Sequence, residues 1–417
     1  MTRVTDLQTV VTRGLCTGCG LCESMLGRDT VEMGISSNGQ MRPQIKQAIA
    51  PAKLQRVLDV CPGAVMRGPE AGVLEGQGRL DPVWGPMISL YRAWSGDPAV
   101  RHKAAAGGML TALGCYLLET GEVQAILHVK ASASEPILTD AKISRTAAEV
   151  IAGSQSRYGP AAPLVHVEQL LDEGIDFAVI AKPCDVAAIR NLMRIDPRAQ
   201  RQIKYCLSLF CGGVPSTKMA EKISRYVGFA PEELSVLRWR GEGWPGPTHL
   251  ETKDGRKADI TYDEAWYDPS VPWTYDMQFR CKICPDAISE LADISCPDGW
   301  VMEDGKPLHR EAPGMNIAIS RTPAGEKLLQ AAIAAGAVET APFTRDELHQ
   351  MHSDHLDRKL GFPARNAGLR LAGEPGLTAV HFRPWAMLRE AGFVASWKAF
   401  WGGFRRARAG ANRENLH

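Results

Sequence analysis

The sequence lacks the features of membrane-spanning and secreted proteins. Nowhere in its 417 residues is there a run of about 18 apolar residues, the length that a transmembrane helix needs. The first 25 residues also lack the apolar stretch of a secretory signal. We therefore expect a cytoplasmic protein, in a compartment where thiols stay reduced.

The sequence also lacks an excess of charge of either sign. Its net charge is +1, which argues against bulk nucleic-acid binding, because that would need a strongly basic domain. Hydrophobic residues make up 45% and charged residues 23%, which is typical of a globular protein with a real core. In a reducing compartment, the eleven cysteines are better explained as metal ligands, catalytic groups or core residues than as disulfides.

Three of these cysteines lie close together in "GLCTGCGLCESML". Cys16, Cys19 and Cys22 have C-x2-C-x2-C spacing. Bacterial ferredoxins continue this run with x3-C-P, and the last cysteine serves their other cluster. Here Leu26 and Gly27 stand where that cysteine and proline would be.

A cysteine followed by proline does occur later, in "DVCPGAV", at Cys61. Read backwards from Cys61, the motif would place its other cysteines at positions 57, 54 and 51, which hold Val57, Leu54 and Pro51. The cysteines absent from positions 26, 51, 54 and 57 together form the ligand set of one cluster. This is expected of a two-cluster ferredoxin fold that has lost one cluster. Between the halves, "VEMGISSNGQMRP" predicts a hairpin with Asn38-Gly39 at its turn.

The remaining thiols predict one 4Fe–4S site, whose ligands are Cys16, Cys19, Cys22 and Cys61. A structural zinc site on the same four thiols is the alternative. Zinc ribbons usually contain two separate C-x2-C pairs, so the run of three cysteines favours the iron–sulfur cluster.

The middle of the chain predicts an α/β fold. The Gly- and Pro-rich segment 75–90 is typical of a linker, and strand and helix patterns alternate after it up to about residue 228. This order predicts a mostly parallel sheet covered by helices. The strand "FAVIA" ends just before Cys184, and the strand "YCLSLF" ends just before Cys211. Because parallel strands end at one edge of the sheet, the two thiols are expected to share one crevice.

A further C-x2-C pair follows in "RCKICPDAISELADISCPDGW". Cys281 and Cys284 can complete a second iron–sulfur set with Cys184 and Cys211, and Cys296 is held as a reserve ligand. Zinc, or buried free thiols, remain the alternatives. Cys115 and Cys206 are interpreted as core residues, as free cysteines usually are.

Two aromatic segments are open to more than one interpretation. "LRWRGEGWPGPTHL" (237–250) could be a loop over a planar ligand, or a hairpin whose tryptophans fill a small core. The segment from Arg383 to the end predicts a basic amphipathic helix with a frayed terminus after Arg408. Such a helix can dock on a partner, lie on an anionic membrane surface, or pack on its own domain.

Six motifs in order give the chain a family resemblance over about residues 10–330. They are the ferredoxin-like run, "GGMLTALGCYLLETG", "GSQSRYGPA", "AKPCDVAAIRNLM", "LFCGGVPS" and "RCKICPDAISELADIS". With them, the chain resembles the beta subunit of coenzyme F420 hydrogenase/dehydrogenase. That family is similar to 7-hydroxymethyl chlorophyll a reductase and to ferredoxin-dependent divinyl chlorophyllide 8-vinyl reductase.

The resemblance implies an iron–sulfur flavoprotein oxidoreductase with FAD in its α/β domain. Matching the motifs residue by residue implies cofactor-binding roles for Gly107, Gly108, Ser154, Gln155, Ser156 and Tyr158. Gly107 and Gly108 open a helix, whose N-terminal N–H groups suit a diphosphate. Lys182, beside Cys184, is a further candidate for contact with the flavin. The chain departs from the family at Ala106, where Ser is common, and at Lys182 and Asp185 in place of the Thr and Gln of Thr-Pro-Cys-Gln.

The resulting domain prediction has four parts. A ferredoxin-like 4Fe–4S domain (1–74) precedes the flavin domain, whose N-terminal part is 75–165 and whose C-terminal part, with the second cysteine set, is 166–335. A helical, basic extension (336–417) follows. Ferredoxin or coenzyme F420 is the expected redox partner, with a separate dehydrogenase or hydrogenase subunit as a possible second one. We also expect a homo-oligomer.

The predicted activity is electron transfer between clusters and FAD, coupled to oxidation or reduction of coenzyme F420 or another small substrate. A ferredoxin-dependent reductase of a tetrapyrrole-like compound, or an electron-transfer subunit of a larger complex, remains open. So does a non-catalytic metal-binding or redox-sensing protein. The catalytic residues are not predicted.

Overall fold

The computed structural model describes residues 4–270 and 276–415. The helices, in chain order, are α1 (Leu7–Thr12), α2 (Leu21–Leu26), α3 (Pro51–Val60), α4 (Pro98–Lys103), α5 (Met109–Glu119), α6 (Ala147–Ala152), α7 (Val167–Glu173), α8 (Pro183–Met193), α9 (Pro197–Gln202), α10 (Thr217–Tyr226), α11 (Tyr262–Tyr267), α12 (Phe279–Lys282), α13 (Pro323–Ala334), α14 (Arg345–Met351), α15 (Ser353–Leu360), α16 (Phe362–Leu371) and α17 (Pro384–Arg408). The strands are β1 (Val31–Ile35), β2 (Met41–Ile45), β3 (Val65–Arg67), β4 (Arg79–Asp81), β5 (Gly85–Met87), β6 (Leu90–Ser95), β7 (Ala125–Ala131), β8 (Thr139–Ser144), β9 (Phe177–Ile180), β10 (Ile203–Ser208), β11 (Leu234–Arg238), β12 (Thr248–Thr252), β13 (Lys257–Ile260), β14 (Ile294–Ser295), β15 (Val301–Glu303), β16 (Lys306–Leu308), β17 (Asn316–Ser320), β18 (Val338–Pro342) and β19 (Thr378–Val380).

The central sheet has the strand order β18-β6-β17-β14-β10-β9-β7-β8. Its centre is parallel, since β9 pairs in parallel with both β7 and β10, and β10 pairs in parallel with β14. The outer pairs are antiparallel. The prediction of a mostly parallel sheet was therefore wrong: the sheet is mixed, because hairpin-like and returning strands extend it on both sides of a parallel centre.

The buried strands of this centre follow the predicted pattern. Phe177, Ala178 and Val179 on β9 have no solvent exposure, and α8 follows at Pro183. Cys206, on β10, is fully buried, and Cys115, on α5, is nearly so, as predicted for core residues. The alternation of buried strands and covering helices places the ends of β9 and β10 at one edge.

The N-terminal part forms the predicted hairpin. Strands β1 and β2 pair antiparallel, and Gly39 in the turn has a φ of +71°, a left-handed conformation that favours glycine. Strand β3 pairs in parallel with β19, so the N-terminal part is bound directly to the C-terminal extension. Strand β18, at 338–342, joins the central sheet beside β6.

Segment 75–90 is not a linker, contrary to the prediction. Strands β4 and β5 form a hairpin, and Trp84 at its turn is fully buried. The Asp81 carboxylate accepts hydrogen bonds from the N–H groups of Val83 and Trp84, both at 2.9 Å. Glycine and proline here make a tight packed turn, which composition alone does not distinguish from a flexible connection.

The C-terminal helix is present, and residues 409–415 after it pack against the rest of the protein, contrary to the predicted fraying. Helix α17 has a break at Gly392, where φ is +72° and ψ is 169°. Asn412 is buried, and the Glu414 carboxylate pairs with Arg42 of β2 at 2.6 Å. The buried tail is tied down by this ion pair and by packing. Within 4–270 and 276–415, no helix is long and apolar enough to cross a membrane.

Candidate metal centre and cofactor site

The first cysteine set is built around the loop between α1 and α2. Cys16, Cys19 and Cys22 follow one another along this loop and into α2, and Cys61 caps the C-terminus of α3. The thiols lie close enough for their charges to act on one another, since Cys22 is affected by Cys16, Cys19 and Cys61. The structure therefore brings together the four residues that the sequence predicted as one set.

Two glycines allow this loop its tight path. Gly18 and Gly20 have φ values of +75° and +85°, which side chains rarely adopt. A Cβ on Gly18 would also lie 2.8 Å from the carbonyl oxygen of Met41. In return, the Gly18 N–H points at the Cys16 sulfur at 3.4 Å. Hydrogen bonds of this kind tune the potential of a cluster bound through such a sulfur.

The second cysteine set lines a single cavity. Its walls contain Cys184, Cys211, Cys281 and Cys284. Cys184 lies in the first turn of α8, just after β9, and Cys211 follows β10, its parallel neighbour. The predicted meeting of these two strand-end thiols at one edge of the sheet is confirmed, and α12 brings the C-x2-C pair to the same place.

Burial is the largest effect on the pKa of several thiols in both sets. It raises the pKa of Cys19 and Cys211 to about 12, and that of Cys61 to about 11. Neighbouring thiols add to this, because like charges oppose one another: Cys281 and Cys284 act on Cys211. Metal binding must displace these protons, so a bound metal and the folded site depend on each other.

Polar groups around the second cavity can stabilise a negatively charged occupant. The Val214 N–H points at the Cys281 sulfur at 3.4 Å. The guanidinium of Arg358 lines the cavity, as does that of Arg280, whose charge lowers the pKa of Cys284 against the larger effect of burial. Arg280 adjoins Cys281 in sequence and could have been suspected, whereas nothing in the sequence around Arg358 pointed to this cavity.

The two cysteine sets are neighbours. Thr17, between Cys16 and Cys19, lines the cavity of the second set. Lys182 and Asp185 lie near both sets: their charges act on Cys19 of the first and on Cys184 of the second. One-electron carriers in two such adjacent sites would be close to each other.

Lys182 has surroundings that the flavin hypothesis did not anticipate. Its ammonium donates to both oxygens of the Asp185 carboxylate, at 2.7 and 2.6 Å; Asp185 is buried, and the Lys182 side chain is 15% exposed. Burial alone would lower the pKa of Lys182, but the charges of Asp185 and Cys184 outweigh it and raise the pKa. Contact of Lys182 with a flavin stays a prediction.

Cys296, the reserve ligand, lies elsewhere. It follows β14 and is buried with Ala93, Met109 and other apolar residues of the sheet. Burial is the cause that raises its pKa, whereas the cavity thiols are also affected by one another. Cys296 is therefore placed as a core residue.

Single-ion sites are the alternative to clusters. In the described part of the chain, no three His, Cys, Asp or Glu residues are placed to hold one metal ion. A tetrahedral zinc ion needs its sulfurs close together, at Zn–S distances of about 2.3 Å. A four-iron cluster places several metal atoms between its thiolates, so its four ligand sulfurs can lie farther apart than those of a single zinc ion.

The residues predicted to bind a flavin meet where three loops converge, at 103–108, 153–158 and 239–246. We call this region the loop junction. The side-chain amide of Gln155 donates to the Lys103 carbonyl at 3.3 Å, and Arg240 donates to the Ala105 carbonyl at 2.7 Å. The Gly243 N–H donates to the His102 carbonyl at 3.1 Å. Of the residues predicted for a flavin, Lys182 is the one that lies outside these loops.

Three residues of the loop junction fit contact with a ligand. The Ser154 hydroxyl oxygen is buried and has no hydrogen-bond partner among the described residues. Gln155 has a φ of +91°, which is strained for a residue other than glycine. Gly108 begins α5 with a φ of +77°. Ser156 lies beside these residues in the same loop.

Other residues of the junction have structural roles. A Cβ on Gly107 would lie 2.7 Å from the backbone nitrogen of Asn316, so this glycine allows close chain packing. The Tyr158 ring packs on Trp266 at 4.4 Å, and its hydroxyl accepts from Arg240. Tyr158 therefore helps to hold the fold of the junction, whatever else it contacts.

Segment 237–250 is the hairpin turn between β11 and β12. Trp239 and Trp244 are each 1% exposed, and Trp239 packs in a small core with residues of α10 and β12. Arg240 of this segment is buried and paired with Asp298 at 2.7 Å. The interpretation of the tryptophans as core residues is confirmed for Trp239.

Comparisons with known proteins match the part of the chain that contains the loop junction and the second cysteine set. Residues 90–169 match the N-terminal part of the family described as "Coenzyme F420 hydrogenase/dehydrogenase, beta subunit". Residues 175–346 match the C-terminal part of the same family. The first match includes two loops of the junction, and the second includes all four cysteines of the second set.

Individual relatives are distant but extensive. The chain is 24% identical over 273 residues to the coenzyme F420 hydrogenase subunit beta of Methanothermobacter thermautotrophicus, covering 62% of this chain and 86% of that protein. It is 28% identical over 268 residues to the F420-dependent formate dehydrogenase 1 subunit beta of Methanococcus maripaludis, covering 60% and 61%.

Among solved structures, a chain of the xenon-derivatised F420-reducing NiFe hydrogenase complex from Methanosarcina barkeri has a similar fold. The TM-score is 0.55 at 21% identity, over 72% of this chain and 98% of that chain. At this identity, the likeness bears on the fold alone.

Proposed function

We propose that this chain, which belongs to the coenzyme F420 hydrogenase/dehydrogenase beta subunit family, is an iron–sulfur flavoprotein that transfers electrons between two 4Fe–4S clusters and FAD. The substrate that it oxidises or reduces is coenzyme F420 or another small two-electron carrier. The relatives named above are F420-dependent by name, and they are subunits of a hydrogenase and a formate dehydrogenase. We propose that this chain likewise works with a separate catalytic subunit.

The observation that carries this proposal is the cavity of the second cysteine set. Four thiols from three separate parts of the chain converge on it, and Thr17 of the first set lines the same cavity. Two adjacent sites with four thiols each suit a pair of one-electron carriers better than a structural metal, which would need only one of them.

When bound, the clusters would supply one-electron transfer and the flavin two-electron transfer. The residues of this chain hold and tune these groups. Cys16, Cys19, Cys22 and Cys61 would hold one cluster, and Cys184, Cys211, Cys281 and Cys284 the other. The N–H groups of Gly18 and Val214 donate to ligand sulfurs, which stabilises their negative charge.

The loop junction is the proposed flavin site. The start of α5 at Gly108 offers N–H groups to a diphosphate. Ser154, with its buried unpaired hydroxyl, and Gln155, with its strained backbone, lie in one loop, and a hydrogen bond from Gln155 joins that loop to the Lys103 carbonyl. A ligand contact for Ser154 would satisfy a buried polar atom that otherwise costs free energy.

The proposal is tested by anaerobic purification, with iron, sulfide and heat-released flavin measured per chain. About eight iron atoms are expected, because each 4Fe–4S cluster contains four, together with about one FAD. About four iron atoms with FAD would remove the second cluster from the proposal. A colourless protein that contains zinc after anaerobic reconstitution would contradict the oxidoreductase function.

Substrate choice is tested on the same preparation. Reduced protein is mixed with oxidised coenzyme F420, and the loss of its visible absorbance gives the rate. Reduced ferredoxin is offered in a parallel experiment as the electron donor to the flavin. Flavin reduction by ferredoxin with no reaction toward F420 would favour the ferredoxin-dependent reductase.

A further inference from the structure

Helix α17 carries large apolar side chains on its outer surface. Phe393 is 80% exposed, Val394 64% and Trp397 53%, and Trp385 in the first turn is 83% exposed. Soluble proteins seldom leave several large apolar side chains uncovered on one helix. The helix begins 38 residues beyond 346, where the family match ends, so family membership does not account for this surface.

The aromatic residues beyond Gly392 form a continuous row along the helix. Phe393, Trp397, Phe400, Trp401 and Phe404 recur at three- and four-residue spacing, which puts them on one face. Their rings are in contact: Phe393 and Trp397 stack at 6.1 Å, Trp397 and Phe400 at 6.2 Å, and Trp401 meets Phe404 at 5.3 Å. We call this the aromatic row.

Helix α16 packs against the C-terminal half of α17, where Phe400, Trp401 and Phe404 of the aromatic row are half-buried. Gly403 and Gly368 bring α17 and α16 together, since a Cβ on either would collide with the backbone of the other helix. Gly403 and Ala407 are both buried. Rotation of α17 to cover Phe393 and Trp397 would break that close packing, so their exposure is built into the fold.

Charges beside the aromatic row have one predominant sign. Helix α17 contains five cations, Arg389, Lys398, Arg405, Arg406 and Arg408, and one acid, Glu390. Among the described residues, none of the five cations forms an ion pair. All five are exposed. Such a face is complementary to an anionic surface.

The arrangement of side chains on α17 points to lipid. An aromatic side chain offers about 150–250 Å², so the exposed parts of Trp385, Phe393 and Trp397 total roughly 400 Å² of apolar surface. The segment beyond Gly392 carries Phe and Trp on one face with Lys398 and Arg405 beside them, which is the pattern of helices that lie in the membrane interface.

We propose that the outer face of α17 binds the surface of an anionic lipid bilayer, with Phe393 and Trp397 among the acyl chains and the neighbouring cations at the headgroups. The helix lies on the surface. The binding is independent of the proposed electron transfer and requires neither cluster nor flavin chemistry.

The test is cosedimentation of the full chain with vesicles. Phosphatidylcholine vesicles are compared with vesicles that also contain phosphatidylglycerol, at roughly 3:1. Binding is expected to the anionic vesicles, and to weaken as salt rises. The double variant Phe393→Ser/Trp397→Ser should lower the partition coefficient at least about tenfold, since two apolar anchors are lost. Lys398→Glu/Arg405→Glu should lower it by a similar factor.

Matched controls come from α10, which carries an exposed tyrosine and lysine four residues apart. Tyr226→Ser and Lys222→Glu should leave the partition coefficient unchanged. Iron and flavin content are measured on every variant. Absence of these cofactors, which would count against the proposed function, is thereby distinguished from loss of lipid binding. Absence of binding to anionic vesicles, or binding that persists in both α17 variants, would overturn the proposal. So would an oligomer, seen by light scattering, that dissociates on Phe393→Ser/Trp397→Ser, because a second copy would then cover the face.

Discussion

The two cysteine sets are built in opposite ways. Three ligands of the first set lie within seven residues of one loop, and the fourth ends the nearby helix α3. The ligands of the second set span 184–284 and meet only because β9 and β10 are parallel neighbours and α12 folds back onto their ends. The ligands of the first site are mostly close together in sequence, whereas those of the second are brought together by the fold of the sheet.

This difference predicts different dependences on the rest of the protein. We expect the first set to keep its metal as long as its loop and the β1–β2 hairpin are intact. We expect the second set to lose its metal when the sheet, or the buried charges next to the second cavity, are disturbed. Variants of single ligands and of nearby charges separate the two sets.

The sharpest separation comes from one ligand of each set. We expect Cys184→Ala to lose the second cluster and keep the first, and Cys61→Ser to do the reverse. Each variant should retain about four of about eight iron atoms, because one 4Fe–4S cluster remains. Iron analysis and low-temperature EPR of the reduced proteins measure this. An unchanged iron content in Cys184→Ala would end the assignment of the second set.

Cys296→Ala is the matched control for those ligand variants. This residue was the reserve ligand, but it is buried in the apolar core of the sheet. The iron content should stay at the wild-type value, with a modest loss of stability of about 1 kcal/mol from the smaller side chain. Loss of iron in this variant would show that Cys296 is a cluster ligand after all.

A buried network of charges below the second cavity should matter next. Lys359, fully buried, pairs with Glu290, which also pairs with Arg383. The Glu290 N–H donates to Asp286, which lines the cavity. We expect Lys359→Met to cost about 3–5 kcal/mol, because it leaves a buried carboxylate with one cation fewer. Urea unfolding and the order of iron release from the two sites check this.

The control for Lys359 is an exposed ion pair. Arg256 and Glu233 pair at 3.1 Å on the surface, and Arg256→Met should cost less than about 1 kcal/mol. If Lys359→Met released iron from the first site before the second, the second site would not depend on this network.

Acid should destabilise the sheet through His128. Burial lowers the pKa of His128 on β7 to about 4, while Nε2 bonds the Ser144 hydroxyl at 2.8 Å. Its pKa is about 6.5 in the unfolded chain, so below that pH the unfolded state binds the proton and the folded state does not. Stability should fall between pH 6.5 and 4, with a contribution of roughly 2 kcal/mol at pH 5.

The variant His128→Gln isolates that contribution, since glutamine can still bond Ser144 but does not titrate. Urea midpoints of the metal-free protein are compared at pH 7 and pH 5. The wild type should lose more stability than the variant over this interval. Equal losses would show that His128 is not the group responsible.

The smallest expected effect concerns the charges between the two sets. Asp185→Asn leaves Lys182 without its carboxylate, next to Cys19 and Cys184. An unbalanced positive charge should raise the reduction potential of both clusters by on the order of tens of millivolts. Redox titration followed by EPR measures this. A shift in one cluster alone would place the ion pair beside that site and not between the two.

The surface pair of Lys142 and Glu149 serves as the control. These side chains pair at 3.2 Å away from the described cysteine sites, and Glu149→Gln should leave both potentials unchanged. A comparable shift in this variant would mean that net charge, rather than position, sets the effect of Asp185→Asn.

Prediction from sequence succeeded where the signal was local. The spacing of Cys16, Cys19 and Cys22 marked the first set, and Asn38-Gly39 marked the hairpin turn. It also succeeded where a general rule of parallel sheets applied, as with Cys184 and Cys211. It failed at segment 75–90 and at the tail after Arg408, because the partners that order them, such as Arg42 for Glu414, are hundreds of residues away.

Local signals along the chain thus specified which thiols could act together, the family, and the alternation of strands and helices. The mixed sheet, the place of Cys296 outside the cavity, and the pairing of Lys182 with Asp185 between the two sets became evident only in the folded chain. The cause is the range of the interactions. Turn conformation and ligand spacing depend on neighbours along the chain, whereas strand order, burial and ion pairing depend on residues that meet only when the whole chain has folded.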